Sequence, residues 1–367
     1  MEKNKSFLRN EGVQALLSSI LCIIIGLIIG YIVLLFINPQ GASGAILAII
    51  KNWANSSRST LQLKNLGSTL VNTAPLLLCS LSVLFAYKVG LFNIGASGQY
   101  TAGIIVALYG ALALHLPWIV CMVLSIIAGA IVGAISGALK AYQNVSEVIS
   151  GIMLNWILLY AANMILSSVK EPSDIYTLKM AKNAPQAILP TLGLNSIFNN
   201  HQYVGIAIPI ALIAAILVWI ILDKTKLGYE LKATGLNKNG AKYAGMKENQ
   251  NIILTMAIAG GLAGLAASCL YLTGITEWSC ATASVPGMGF NGIAAAFLGG
   301  LNPLGSILSS YFIQHISMGG SFVDLSIYPS QVADLISSII IYLCGFVAFF
   351  KLMMNQFLDK KDAKGGK

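Results

Sequence analysis

The chain alternates between long apolar runs and short polar connections. At 1.5 Å per residue, a run of about 20 residues crosses the hydrocarbon core of a bilayer. A first run preceded by basic residues is longer than the apolar core of a cleaved signal peptide, so we interpret it as a retained span. Runs of this length occupy residues 16–37, 66–87, 117–139, 148–169, 204–222, 252–273 and 332–350. The pattern predicts an all-α polytopic membrane protein.

Two glycine-punctuated stretches interrupt this pattern. Residues 90–99, GLFNIGASGQ, are too irregular for one uniform helix, and the run after them, 100–114, is short for a crossing. Residues 287–317 are interrupted at Asn302 and Pro303, which divides them into two short crossings. Irregular backbone persists in lipid only where protein or a water-filled path surrounds it. Both stretches are therefore expected to be central, and the count reaches about ten crossings.

The two halves of the chain also echo each other, with opposite starting sides. This matches an inverted repeat with discontinuous helices, and such helices at matching positions in two halves indicate a transport site. The alternative is a chance recurrence of small residues, which are common in all membrane helices. The matching residues are Gly90, Phe92, Asn93 and Gly95 in the first half and Gly289, Phe290, Asn291 and Gly292 in the second.

A hydrophilic segment separates the halves and holds six Lys residues of the 22 Lys and Arg in the chain. A short, basic loop between spans is expected on the cytoplasmic side. Its sequence predicts two short helices around Asn237, which caps the second, with Gly245 at its end. The predicted parts are a cytoplasmic N-terminus (1–15), a first transmembrane half (16–222), a cytoplasmic coupling loop (223–251), a second transmembrane half (252–350) and a cytoplasmic tail (351–367).

Composition supports the membrane class and narrows the chemistry. Hydrophobic residues make up 56% of the 367 and charged residues only 10%, against about a quarter in soluble domains. The net charge of +9 comes from loops and chain ends, so it reflects membrane topology and not a nucleic-acid partner. Six cysteines without CxxC spacing and three scattered histidines predict no metal, no cofactor and no catalytic residues.

Several motifs in a consistent order carry a family resemblance. From about residue 68 to 348, the chain resembles the permease subunits of bacterial ABC importers for simple sugars, nucleosides and branched-chain amino acids. The GLFNIG form is most similar to the nucleoside branch, with its guanosine-type permeases, and to the simple-sugar branch. In this family Glu usually stands where this chain has Ser97. The motifs are TAPL (73–76), GLFNIGASGQ (90–99), SEVISGIMLNW (146–156), the segment 228–245 and GFNGIAAAFLGGLNPLG (289–305).

The resemblance implies a subunit of a larger assembly in the bacterial cytoplasmic membrane, with both termini cytoplasmic and lipids around it. Its expected partners are a separate ABC ATPase, a second permease that is homologous or identical, and an extracellular binding lipoprotein or periplasmic protein. A phosphate-binding loop of the form GxxxxGK[ST] is absent from the sequence, so the ATPase is expected to be another chain.

Within the coupling loop, apolar residues at helical spacing predict a contact with the ATPase. The alternative is an ordinary solvated basic loop. The predicted contact residues are Gly228, Tyr229, Leu231, Leu236, Ala241, Tyr243, Ala244 and Gly245.

Aromatic rings and amides near the interruptions are candidates for a substrate path, since rings stack on flat solutes and amides bond hydroxyls. The alternative is that the glycines serve helix packing and the amides satisfy freed backbone groups. For Asn155, hydrogen bonding between helices is the favoured use. The six candidates are Phe92, Asn93, Gln99, Asn155, Phe290 and Asn291.

Four functions remain in order of preference. No charged residue lies deep in a predicted span, which favours a neutral, hydroxyl-rich solute over an ion-coupled mechanism. A nucleoside importer comes first and a simple-sugar importer second. An ion-coupled secondary carrier comes third, and a membrane enzyme last.

Overall fold

The apolar runs fold as helices wherever the chain is described. The computed structural model describes residues 11–356, apart from positions 325, 330, 348, 351 and 354. Most of the predicted N-terminus and tail, residues 1–10 and 357–367, lies outside the described part. The helices of six residues or more there are α1 (Glu11–Ile37), α2 (Ala42–Lys51), α3 (Ser59–Lys88), α4 (Ala96–Leu112), α5 (Trp118–Gln143), α6 (Glu147–Leu166), α7 (Ala207–Lys224), α8 (Lys226–Leu236), α9 (Lys238–Tyr243), α10 (Glu248–Tyr271), α11 (Gly287–Leu298), α12 (Pro303–Gly319) and α13 (Val332–Cys344).

Six segments in the described part are long and apolar enough to cross a membrane. They belong to α1, α3, α5, α6, α7 and α10, and two further apolar helices, in α11 and α13, are shorter. The prediction of an all-α, multi-span membrane protein is therefore confirmed. The helix α3 begins at Ser59, seven residues before the predicted start of its span, and α2 was not expected as a helix.

Both predicted interruptions are present. After α3 the chain leaves the helix, with Gly90 in the left-handed region at φ +77°, and α4 begins at Ala96. After α11 the chain turns through Gly300, and Asn302 caps α12: its Oδ1 accepts from the backbone N–H of Leu304 at 2.9 Å. Pro303 occupies the first turn of α12, where its missing N–H costs nothing.

The helix α3 is the centre of the fold, because its residues from Ala74 to Ala86 are all buried. The helices α7, α10, α11 and α12 pack around it. Pro75 lies inside α3 and is tolerated there, as prolines often are in buried membrane helices.

Among the described helices, the most extensive contact joins α5 and α10, and small residues form it. A Cβ atom added at Gly260 would overlap the carbonyl oxygen of Gly129, and one at Gly264 would overlap that of Ser125. The Ser125 hydroxyl lies 2.7 Å from the Gly264 carbonyl oxygen. The two backbones therefore touch directly, which is a common way of packing helices in membranes.

Adjacent glycines in α10 provide a matched test of this contact. We expect Gly260→Ala to destabilise the protein by about 1–3 kcal/mol, because its methyl group overlaps the facing backbone. A Cβ at Gly261 would come no closer than 3.4 Å to the Ile126 side chain. Gly261→Ala should therefore be neutral or mildly stabilising, since alanine favours helices. Thermal unfolding in detergent measures both, and equal melting temperatures would contradict the contact.

Candidate functional site

The interruption between α3 and α4 is closed by buried amide groups. The side chains of Asn93 and Gln99 are fully buried and pair with each other. Asn93 Nδ2 donates to Gln99 Oε1 at 2.8 Å, and Gln99 Nε2 donates to Asn93 Oδ1 at 3.1 Å. Asn93 Nδ2 also lies 3.1 Å from the Ser82 hydroxyl of α3. This pairing fixes the end of α3 to the start of α4.

A third buried amide, Asn155 of α6, satisfies backbone groups of the same segment. Its Oδ1 accepts from the N–H of Gly98 at 2.7 Å, in the first turn of α4, where N–H groups have no helical partner. Its Nδ2 donates to the Ile94 carbonyl at 3.1 Å. The backbones of Gly95 and Gly151 meet one turn away. Asn155 therefore joins α6 to the interruption.

The second glycine-rich stretch packs against the first. Gly289, in the first turn of α11, lies against Ser97, where an added Cβ would leave no room. Ser97 is fully buried, and its hydroxyl has no hydrogen-bond partner among the described residues. Phe290 and Asn291 next to this contact are exposed. The two predicted central segments thus meet at the starts of α4 and α11.

The six path candidates therefore fall into two groups. Asn93, Gln99 and Asn155 are engaged within the protein. Phe92 is half-buried, and Phe290 and Asn291 are exposed, so these three keep free surface. Contact of any of the six with a substrate stays a prediction.

Sequence reasoning missed two rings beside Phe92. The rings of Tyr87 and Phe92 are 6.5 Å apart, and those of Tyr87 and Phe297 are 5.1 Å apart, both edge to face. Tyr87 is the penultimate residue of α3 and Phe297 lies in the last turn of α11. The cluster joins the ends of the two helices, a pairing that no local pattern in the sequence indicates.

The coupling loop folds as the two predicted helices. Asn237 caps α9 by accepting from the N–H of Gly240 at 2.9 Å, and Gly245 follows in the left-handed region at φ +79°. The cap of α8 was missed: Thr225 Oγ1 accepts from the N–H of Gly228 at 3.1 Å. A threonine directly before a helical segment was the available signal.

The predicted contact residues of this loop divide by burial. Gly228, Leu231 and Ala241 are buried against the protein and anchor the two helices. Two large side chains of the predicted set are almost fully exposed, Leu236 at 89% and Tyr243 at 94%. The other exposed members are Tyr229, Ala244 and Gly245.

The coupling loop also touches the interruption directly. A Cβ at Gly235 would overlap the carbonyl oxygen of Val89, and one at Gly90 would come within 2.9 Å of the Gly235 carbonyl oxygen. The loop is held to α10 by Asn251 Nδ2, which donates to Thr234 Oγ1 at 2.8 Å. The two regions predicted separately from the sequence are therefore neighbours in space.

Charged groups lie at this end of the helices. Lys140 pairs with Glu147 at 2.9 Å, at the end of α5 and the start of α6. Lys232 of the loop pairs with Asp223 at 3.1 Å. Among the described residues, no group of three or more His, Cys, Asp or Glu side chains could hold a metal ion.

These features define a class of protein. Broken helices that meet inside a bundle, with a basic loop packed on one break, are typical of a membrane transport subunit. The family described as "Branched-chain amino acid transport system / permease component" matches residues 65–345, and the chain belongs to this family. It is a permease component and not an enzyme.

Several relatives are similar to this chain over most of their length. The guanosine ABC transporter permease protein NupP of Bacillus subtilis is 33% identical, over 88% of this chain and 94% of its own. The nucleoside ABC transporter permease protein NupB of Lactococcus lactis is 31% identical, over 95% of each chain. The glucose ABC transporter permease protein TsgB13 of Haloferax volcanii is 27% identical, over 78% of this chain and 77% of its own. No solved structure matches the chain significantly.

Replacing Asn155 tests the buried connection. We expect Asn155→Leu to leave the Gly98 N–H and the Ile94 carbonyl without partners, at a cost of about 1–3 kcal/mol for each group. Asn72→Leu is the control, because Asn72 Nδ2 donates only to the Ser68 carbonyl of its own helix, at 2.9 Å. Thermal unfolding in detergent should show a clear loss for Asn155→Leu and little for Asn72→Leu. Similar losses would contradict the structural role of Asn155.

Proposed function

We propose that the chain is the membrane permease subunit of an ABC importer that carries nucleosides into the cell by alternating access. ATP is hydrolysed by a separate ATPase subunit, as in the ABC systems of its relatives. The relatives with the highest identity named above are guanosine and nucleoside permeases, which favours a nucleoside over a simple sugar.

The observation that carries this proposal is the position of the coupling loop. Its Gly235 touches the backbone of Val89 and Gly90 in the interruption, while Leu236 and Tyr243 are exposed. A partner that pushes or pulls on the exposed side chains therefore acts on the backbone between α3 and α4. We propose that this partner is the ATPase, that Tyr229, Leu236, Tyr243, Ala244 and Gly245 contact it, and that Gly228, Leu231 and Ala241 anchor the loop.

The proposed topology has about ten crossings, with the coupling loop and both termini in the cytoplasm. The helices α4, α11, α12 and α13 supply the four shorter crossings beside the six long spans. Broken helices at the starts of α4 and α11 support two inverted-repeat halves. The basic character of the loop supports its cytoplasmic side.

A second permease completes the proposed pore. Bacillus subtilis has the guanosine permease proteins NupP and NupQ, and Lactococcus lactis has the nucleoside permease proteins NupB and NupC. This chain is similar to both members of each pair, at 33% and 26% identity in the first organism. A heterodimer of two homologous permeases is therefore favoured over a homodimer. An extracellular binding lipoprotein or periplasmic protein would dock on the connections opposite the coupling loop.

Uptake with and without the ATPase tests the proposed function. Cells or vesicles with the complete transporter should accumulate labelled nucleoside, and inactivating the ATPase should abolish this. Uptake that survives loss of the ATPase would instead indicate a secondary carrier. Competition by unlabelled ribose as strong as that by unlabelled nucleoside would favour the simple-sugar importer.

The loop contact gives a sharper test within the same assay. We expect Gly235→Ala to reduce nucleoside uptake at least tenfold, because its methyl group overlaps the Val89 carbonyl and displaces the loop. ATP hydrolysis should persist but lose its stimulation by substrate. Gly240→Ala, in the same loop, is the control, since the atoms nearest to its Cβ would belong to the Asn237 side chain, at 3.2 Å, and not to a facing backbone. Equal uptake by the two variants would show that the contact does not carry the coupling.

A further inference from the structure

A stripe of large side chains on α6 has no partner within the described protein. Trp156 is 43% exposed and Tyr160, one turn later, is 61% exposed. Their rings stack, with centroids 6.2 Å apart and planes inclined by 27°. Met153 and Met164 extend the stripe on either side and are also exposed. The same face also carries the exposed Ile149 and Ile157, so aromatic and thioether side chains lie among aliphatic ones.

The depth of this pair argues against a lipid-facing role. Trp156 and Tyr160 lie 9 and 13 residues after the start of the span at Glu147, roughly 14 and 20 Å along the helix. Tryptophan and tyrosine usually lie at the two membrane interfaces, where their polar atoms reach water. Among the described residues, neither the Trp156 indole N–H nor the Tyr160 hydroxyl has a hydrogen-bond partner. In hydrocarbon both groups would stay unsatisfied, which is costly.

The neighbouring helix α5 has an exposed stripe of the composition that suits lipid. Between residues 119 and 135 the exposed stripe of α5 contains only aliphatic side chains at helical spacing, and the exposed Tyr142 lies in the last turn of the helix. The members of the stripe are Ile119, Val123, Ile127, Ile131 and Ile135. The stripe of α6 differs from the stripe of α5 by the Trp156 indole N–H and the Tyr160 hydroxyl, two groups that need a polar environment.

The opposite side of α6 lies on the interruption. Asn155, next to Trp156 in the chain, is fully buried and bonds Gly98 and Ile94. The exposed Trp156–Tyr160 pair is therefore carried by the helix that also holds the start of α4. A solute bound at the pair would be one helix away from the moving parts.

We propose that Trp156 and Tyr160 line the translocation path and bind the nucleoside, with its base against the aromatic rings. The indole N–H and the phenol hydroxyl then bond the polar atoms of the base or the hydroxyl groups of the sugar. Flat, uncharged heterocycles suit this pair, since it offers ring surface and neutral hydrogen-bonding groups and no charge. This inference rests on the proposed function, and it adds two residues that bind the substrate.

Cysteine labelling tests the environment of the pair. In the complete transporter, Tyr160→Cys should react with a membrane-impermeant thiol reagent, and guanosine should slow the reaction. Ile127→Cys, on the aliphatic face of α5, is the control and should stay unlabelled above the parent protein. A Tyr160→Cys variant that is unreactive would overturn the proposal. A disulfide between this cysteine and a second permease, with no labelling, would overturn it in favour of a subunit interface.

Uptake kinetics test the role in binding. Base–aromatic stacking predicts that Trp156→Ala raises the KM for guanosine uptake about tenfold, whereas Trp156→Phe, which keeps a ring, has a smaller effect. Ile131→Ala on the aliphatic face of α5 is the matched control and should keep the parent KM. Equal KM values for Trp156→Ala and Ile131→Ala would overturn the proposal. If the parent transporter takes up no nucleoside at all, the proposed function fails instead, so the two failures are distinct.

Discussion

Every backbone N–H and carbonyl within a bilayer must find a partner inside the protein, and a broken helix leaves several of them open. In this protein the break between α3 and α4 meets that demand with side-chain amides. Asn155 supplies both a donor and an acceptor to it, and the paired amides of Asn93 and Gln99 close the loop from within. The buried path candidates and the coupling loop lie next to this break.

The same constraint explains why the surroundings of the break are so rich in glycine. Amide groups can reach the freed backbone only if neighbouring segments approach closely, as Gly95 does with Gly151 and Gly289 with Ser97. Close-packed contacts of this kind are nearly incompressible. If one segment moves, its neighbour must therefore move with it or the contact must open. In the proposed mechanism, the contact of Gly235 with Val89 therefore transmits a movement of the loop to the break.

Local patterns in the sequence were sufficient for features that depend on a few consecutive residues. The breaks at 90–99 and near Asn302 and the cap at Asn237 follow from glycine, proline and capping chemistry alone. Features that depend on distant parts of the chain were not accessible. The sequence indicates that Asn155 needs a partner, but which backbone it bonds depends on how α6 packs on α4. Likewise, Trp156 and Leu159 look equally apolar in a run, and only the packing shows that Leu159 is buried and Trp156 is not.

The two sides of helix α6 make different contacts, and both matter for the proposed mechanism. Asn155 faces inward and fixes the helix to the break, whereas Trp156 faces outward with an unsatisfied N–H. A solute that stacks on Trp156 and Tyr160 favours one position of α6, and α6 cannot move relative to α4 without disturbing two hydrogen bonds to Asn155. The break is in turn held by Gly235 of the coupling loop. In the proposed mechanism, substrate and ATPase thus act on this segment from different sides, which is the physical requirement for coupling one to the other.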